Sequence, residues 1–164
     1  MKATSPKQKG LITAALIILL SGITYYFRRN FDNEIMLVAY FMYAAGIVWT
    51  LLAYHRQKDQ PRNFKAYFQQ GFSCFIIVTL MMVCATWLFL KFNTALQDEM
   101  VAYQRTQLQQ LGNYSAPDIE EKLKQYRKIL LPGYTIGAIL SYLGIGALIS
   151  SLLSVFLSSI KKAE

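Results

Sequence analysis

The chain has few charged residues, and four long stretches have none. Charged side chains make up 16% of its 164 residues, against roughly 25% in a typical soluble domain. Acids are scarcer than bases, with 9 Asp and Glu against 17 Lys and Arg, so the formal net charge is +8. Hydrophobic residues make up 54%. This composition excludes an ordinary water-soluble domain and indicates a small membrane protein of one domain.

Histidine and cysteine, which supply most metal ligands and many nucleophiles, are also scarce. The chain has one histidine, His55, and two cysteines, Cys74 and Cys84. This set is too small for a structural zinc site, and we find no Ser-His-Asp spacing, phosphate-binding glycine loop or nucleotide motif. We therefore expect no catalytic residue, no metal site and no cofactor. Both cysteines lie in an apolar stretch, where we expect them to pack as small apolar residues.

The four uncharged stretches are each long enough to cross a bilayer as a helix. They predict membrane-spanning helices over residues 10–27, 35–54, 68–90 and 134–160. A helix rises 1.5 Å per residue, so about 20 residues cross a hydrocarbon core of about 30 Å. Helix is required there because lipid offers no partner to unpaired peptide groups. The first stretch follows lysines, as in a signal peptide, but no small-x-small cleavage site follows it, and we interpret it as a span.

The 92–131 segment is large enough to fold in water, and we predict that it forms a helical hairpin. The run from Ser115 to Asp118 has the serine, proline and acid typical of a helix start. Gly112 and Asn113 supply a turn before it. Apolar residues then recur at helical spacing, at Ile119, Leu123, Tyr126 and Leu130. The hairpin is either a folded connector, whose apolar stripe packs on itself or on the membrane surface, or a docking surface for a partner or substrate.

Basic residues in short loops indicate the orientation of membrane helices. The two chain ends and the 56–65 loop together hold nine bases, and the opposite side holds eight. Six of those eight, however, lie in the long 91–131 segment beside five acids. The short basic loops therefore indicate that both termini are cytoplasmic and that the hairpin is extracytoplasmic.

Small residues on the fourth span predict sites of helix packing. The first stripe consists of Gly133, Gly137, Ser141, Gly144, Ser151 and Ser158. A second ladder on a different side contains Gly146, Ser150, Ser154 and again Ser158. Small residues let helix backbones approach closely, and close packing is a main source of helix association in lipid. The contacts can lie within the monomer, across a homodimer or against another membrane protein.

The loop after the second span combines basic and aromatic side chains. Its bases are Arg56, Lys58, Arg62 and Lys65, and its aromatics are Phe64, Tyr67 and Phe68. Pro61 ends the second helix, and Asn63 can cap a short interfacial helix. We expect the bases to contact anionic lipid headgroups, and we expect no nucleic acid partner.

The order of these parts resembles DUF4199, a family of uncharacterised bacterial membrane proteins found mainly in the Bacteroidetes. The likeness rests on the basic loop ending in NFKAYFQQGF, on the Gln- and acid-rich hairpin reaching Pro132 and Gly133, and on the small-residue fourth span. It covers nearly all of the chain. It implies four membrane helices in the inner membrane of a Gram-negative cell. The family has no established activity, so the resemblance offers no catalytic residues to carry over.

The spans contain no Asp, Glu, Lys, Arg or His in their interiors, unlike proton-coupled carriers. Our leading hypothesis is a non-enzymatic accessory or scaffold subunit that acts through helix packing and the hairpin. The alternative is a small transporter or channel with a polar path lined by Tyr40, Tyr43, Thr79, Thr86 and Ser141. An enzyme acting on lipid-linked substrates would need a polar cluster near His55 or Glu120.

Overall fold

The computed structural model describes residues 5–28, 33–57 and 60–160. Within these ranges the chain is all α-helical and has no strand. The helices are α1 (Pro6–Arg28), α2 (Asn33–His55), α3 (Phe64–Phe92), α4 (Thr94–Gln110) and α5 (Ala116–Ile160). Four of them, α1, α2, α3 and α5, are long and apolar enough to cross a membrane. The prediction of an all-helical, multi-pass membrane protein is confirmed.

The chain forms two compact units. Unit 1 consists of Met1–Met82 together with Ile139–Glu164, and unit 2 consists of Val83–Ala138. Unit 1 therefore contains α1, α2, most of α3 and the last part of α5. Unit 2 contains the end of α3, all of α4 and the first part of α5.

The core of unit 1 mixes apolar and hydroxyl residues, and its surface exposes large apolar side chains. Buried positions include five hydroxyl residues, Thr13, Thr50, Thr79, Ser150 and Ser154. Large apolar side chains face outward instead, for example Leu19 at 62%, Phe41 at 75% and Leu152 at 64% exposure. A soluble domain would bury most such side chains. Outward-facing Leu and Phe around a core containing hydroxyls fit a bundle surrounded by lipid.

Successive helices of unit 1 run in opposite directions. Lys9, near the start of α1, lies over the ring of Trp49, near the end of α2, with Nζ 5.7 Å from the ring centroid. The Tyr54 ring of α2 packs against the Tyr67 ring near the start of α3, with centroids 5.4 Å apart. The start of α1, the end of α2 and the start of α3 therefore lie together. We call this the basic end, since it carries Lys7, Lys9, Arg56, Arg62 and Lys65.

Glycines lie where the helices of unit 1 come closest. At four of them an added Cβ would come within 3.0 Å of another helix: Gly10, Gly46, Gly71 and Gly146. At Gly10 the Cβ would lie 2.7 Å from the backbone oxygen of Cys74. At Gly146 it would meet the hydroxyl of Tyr43 and lie 2.8 Å from the ring of Phe75. These glycines hold the bundle together because any side chain there would separate two helices.

Helix α3 begins earlier than predicted. Its cap is Asn63, whose Oδ1 accepts the backbone N–H of Ala66 at 2.8 Å. The chain then continues as one helix of 29 residues from Phe64 to Phe92. The separate interfacial helix predicted after Asn63 is therefore wrong, because nothing interrupts the backbone between the capped turn and the apolar span.

Helix α5 continues through Pro132, where the sequence suggested a boundary. It has 45 residues, more than the roughly 20 that cross a hydrocarbon core. Proline removes one backbone hydrogen bond, but the helix continues, and the hydroxyl of Thr135 donates to the Leu131 carbonyl at 2.7 Å. The predicted span, residues 134–160, is the apolar part of this helix.

In unit 2, α4 and the first part of α5 pack as a helical hairpin. Gly112 in the connecting turn has φ of +66°, a conformation that side chains beyond glycine rarely adopt. The facing helices bury Leu108, Ile119 and Leu123 together. Ion pairs join Arg105 to Glu120, at 2.7 Å, and Arg127 to Asp98. The apolar stripe predicted on this part of α5 is thus covered by α4, as expected of a folded connector.

A capping box fixes the start of α5. The Ser115 hydroxyl and backbone N–H both donate to Oδ2 of Asp118, at 2.5 and 3.2 Å. In return, Ser115 Oγ lies 3.5 Å from the Asp118 N–H. These donors, the hydroxyl first, hold the pKa of the Asp118 carboxyl below its usual range. The helix start predicted from these residues is the observed one.

Gly146→Ala tests the close packing inside unit 1. The new methyl would clash with Tyr43 and Phe75, and overpacking a well-packed core costs about 1–3 kcal/mol. We expect a lower melting temperature for the full chain in detergent micelles. Gly22→Ala is the matched control, because among the described residues no atom of another helix lies within 4 Å of that Cβ position. Equal melting temperatures for the two variants would contradict the assignment.

Leu123→Ala tests the hairpin of unit 2. Leu123 is 4% exposed in the cluster with Leu108 and Ile119, and truncating a buried leucine costs about 2–5 kcal/mol. Hydrogen exchange of the α4 amides should become faster, since they open when the hairpin opens. Ile129→Ala, at a side chain that is 61% exposed, should leave this exchange nearly unchanged. Unchanged exchange in both variants would show that the cluster does not hold the hairpin.

Candidate functional site

The predicted packing stripe of α5 does not face another helix of the monomer at its glycines. Among the described residues, no atom of another helix lies within 4 Å of the Cβ positions of Gly133, Gly137 and Gly144. Ser141 is exposed, and Ser151 and Ser158 are partly buried. The glycines of this stripe are therefore open to lipid or to another chain.

The second ladder of α5 is the one that packs inside unit 1. Ser150 and Ser154 are fully buried, and Gly146 lies against Tyr43 and Phe75. The Ser154 hydroxyl donates to the Ser150 carbonyl at 2.5 Å. The sequence showed that α5 has two small-residue faces, but it did not show which one meets the other helices.

The residues predicted to line a polar path do not form one open lining. Tyr43 is fully buried, and its hydroxyl donates to the backbone oxygen of Tyr142 at 2.9 Å. Thr79 is buried in the same unit, whereas Ser141 is exposed on its outside. The bundle is closely packed around Tyr43, because its hydroxyl occupies the space beside Gly146.

The titratable groups considered for catalysis belong to different units. His55 Nδ1 and the Tyr67 hydroxyl form a hydrogen bond of 2.6 Å in unit 1. Glu120 is paired with Arg105 in unit 2. Within residues 5–28, 33–57 and 60–160, no group of three or more His, Cys, Asp and Glu is placed to hold a metal ion.

The basic residues predicted to contact lipid flank the basic end of unit 1. Arg56 and Lys65 are exposed, and Arg62 is partly buried. Lys58 lies outside the described residues. Exposed bases at the helix ends can meet the headgroup layer without entering the hydrocarbon.

A polar cavity of about 210 Å³ opens at the basic end. Its lining includes Ser5, Lys9, Thr50, Gln57, Gln60 and Gln70. Tyr54 also lines it, and its hydroxyl donates to the Pro61 carbonyl at 3.1 Å. No carboxylate is present among the described lining residues. The lining therefore combines three amide side chains, which can donate or accept, with one lysine.

A capping box at the start of α1 positions the wall of this cavity. The Ser5 N–H donates to Gln8 Oε1 at 2.9 Å, and the Gln8 N–H donates to Ser5 Oγ at 3.3 Å. Pro6 occupies the first helical position, where its missing N–H costs nothing. The helix is thereby fixed one turn before Lys9, which lines the cavity and is only 6% exposed.

From the sequence, Lys9 is one of three bases near the chain start, and its burial was not predicted. A usable signal is present, since Lys9, Thr13 and Ile17 are spaced four residues apart and lie on one helix face. Thr13 and Ile17 are buried at 5% and 0% exposure. The face that carries Lys9 is therefore the face that α1 turns toward the bundle.

Comparison with known proteins identifies the family but no activity. Residues 8–159 match the family model described as a protein of unknown function, DUF4199. No curated protein and no solved structure matched the chain. The family match covers most of the chain, including all of α2, α3 and α4. The four-helix membrane protein described above therefore belongs to the DUF4199 family.

Proposed function

We propose that this protein is a non-enzymatic accessory or scaffold subunit of the bacterial inner membrane. It acts by packing the outer face of α5 against a helix of a partner. The observation that carries the proposal is Gly144, a glycine in unit 1 with no atom of another described helix within 4 Å of its Cβ position.

Close approach is what glycine provides elsewhere in unit 1. Four glycines there each meet a neighbouring helix, and the contacts would be lost with any larger residue. Gly144 offers the same opportunity on the outside, between the exposed side chains of Leu140 and Leu148. A glycine between two exposed leucines forms a shallow groove into which a second helix can pack. A second copy of this chain is the first partner to test, and another membrane protein is the alternative.

The charge distribution supports an orientation with both termini in the cytoplasm. Among the described residues, Lys7, Lys9, Arg56, Arg62 and Lys65 lie at the basic end of unit 1, and short basic loops remain cytoplasmic in most membrane proteins. Arg56 and Lys65 are exposed there and would contact anionic headgroups. In this orientation the hairpin of unit 2 is extracytoplasmic, and its outer faces are available to a partner because its apolar stripe is already covered.

A small transporter or channel is the alternative function. It would require an open path beside Tyr43, where the hydroxyl instead lies against Gly146. Solute flux in proteoliposomes containing the purified chain would support the transporter, and flux abolished by Tyr43→Phe would connect it to this position.

Gly144→Leu tests the packing surface. Two differently tagged copies of the full chain are expressed together, and one tag is captured after mild solubilisation. We expect wild-type copies to co-purify and Gly144→Leu copies to lose at least about tenfold of this association, because the leucine prevents backbone approach. Gly22→Leu is the matched control and should co-purify as the wild type does, since its Cβ position on α1 is also open among the described residues.

The melting temperature of each variant separates association from folding. Gly144→Leu should melt as the wild type does in detergent, because no described neighbour is displaced in the monomer. Co-purification that survives Gly144→Leu would reject this face as the interface. Loss of association in both leucine variants would reject a specific role for α5.

A further inference from the structure

The lining of the polar cavity at the basic end includes a buried lysine with no negative partner among the described residues. Lys9 is 6% exposed and lines the cavity. Neither ion pair in the described part of the chain involves it. Its Nζ lies 5.7 Å from the centroid of the Trp49 ring, at a distance where a cation–π contact gives modest stabilisation. A buried charge without an opposite charge is unfavourable, and a bound anion would offset that cost.

The rest of the lining is suited to an anion. Gln57, Gln60 and Gln70 each carry an amide with two N–H donors. The start of α1 at Pro6 also lines the cavity, and the positive end of a helix favours negative charge. These features come from three different helices or their flanking loops, and they converge on one space.

The surroundings would concentrate anions near this space. The 56–65 segment, from which Gln57 and Gln60 line the cavity, has four bases and a single acid in its sequence. Arg56 and Lys65 are exposed at the same end of unit 1. An excess of positive charge near a cavity raises the local concentration of anions.

We propose that this cavity binds a phosphate group, with Lys9 neutralising its charge. The volume of about 210 Å³ lies below the roughly 300–1,000 Å³ of pockets for drug-sized ligands, so the ligand is a small anion or the headgroup of a larger molecule. A phosphate oxygen cluster can accept from an ammonium and several amides at once. The helix ends place the cavity where the phosphates of a membrane surface would lie. The ligand is therefore a phospholipid headgroup or a soluble phosphate.

The test uses the full chain in a non-ionic detergent with two probes. Inorganic phosphate is titrated in a thermal-shift assay against chloride at matched ionic strength. Phosphatidylglycerol is titrated separately, and the bound lipid is counted by native mass spectrometry. Stabilisation by phosphate identifies a soluble anion as sufficient, whereas retention of phosphatidylglycerol alone identifies the lipid headgroup; either result supports the site. A response to neither probe overturns it.

Lys9→Gln and Lys7→Gln form a matched pair of variants. Both remove one positive charge from the first turn of α1, but Lys7 is exposed and is not among the cavity residues. We expect Lys9→Gln to weaken binding of the active probe by about tenfold or more, because a hydrogen bond to a charged group is lost. Lys7→Gln should change it by less than about twofold, as expected for a screened surface charge.

The probe-free protein provides a second readout. Lys9→Gln should melt no lower than the wild type without anion, since it removes a buried charge that lacks a partner. If Lys9→Gln does not yield folded protein, Gln70→Leu takes its place, with an expected severalfold loss of binding. If Lys9→Gln and Lys7→Gln weakened probe binding equally, the effect would be one of surface charge, and the proposed site would be rejected. Unchanged binding in the cavity variants would overturn it as well.

Discussion

Lipid supplies no hydrogen-bond partner to a peptide group, and the rest of the structure follows from this constraint. Each span must be helical because a helix satisfies its own backbone. The same constraint acts on side-chain hydroxyls in the core of unit 1, where Thr13 and Thr50 donate to carbonyls four residues earlier on their own helices. Polar side chains can thus be buried without cross-helix partners. Helix association then depends mainly on van der Waals packing between helices. This packing is closest where small side chains let the backbones approach.

This accounts for two features of unit 1: large apolar side chains are exposed on its surface, and small residues lie where its helices meet. Exposing leucine or phenylalanine to lipid costs little free energy, because lipid tails are as apolar as these side chains. Glycine and serine between the helices allow the backbones to approach. Helix α5 carries a small-residue ladder on two sides, and only the Gly146 side is covered by helices of the same unit. The open side at Gly144 has the same chemistry without a neighbour. Helix α5 therefore has two faces of small residues, and the monomer packs only one of them. This is the physical basis for proposing that the Gly144 face meets a partner.

The sequence predicted the elements better than their contacts. Runs without charge gave the number of spans, and the Ser115 and Asp118 pair gave the start of α5, because both signals are local. Continuity through Pro132 was missed because the loss of one hydrogen bond interrupts a helix only when its neighbouring turns are also weak. The sequence also could not predict which small-residue face of α5 packs inside unit 1. That outcome depends on Tyr43 and Phe75, which are distant in sequence from Gly146 and fill the space beside it.

The burial of Lys9 was missed for a different reason. A lysine at the edge of a span is normally expected to extend its charge into the headgroup layer, as exposed Lys7 can do. Lys9 instead lies on the inner face of α1, in step with Thr13 and Ile17. A bundle that required only good packing would be at least as stable with an apolar residue there. The low dielectric environment that makes an isolated ammonium costly also strengthens its attraction to an anion. The position of this one charge is therefore better explained by a bound ligand than by the fold.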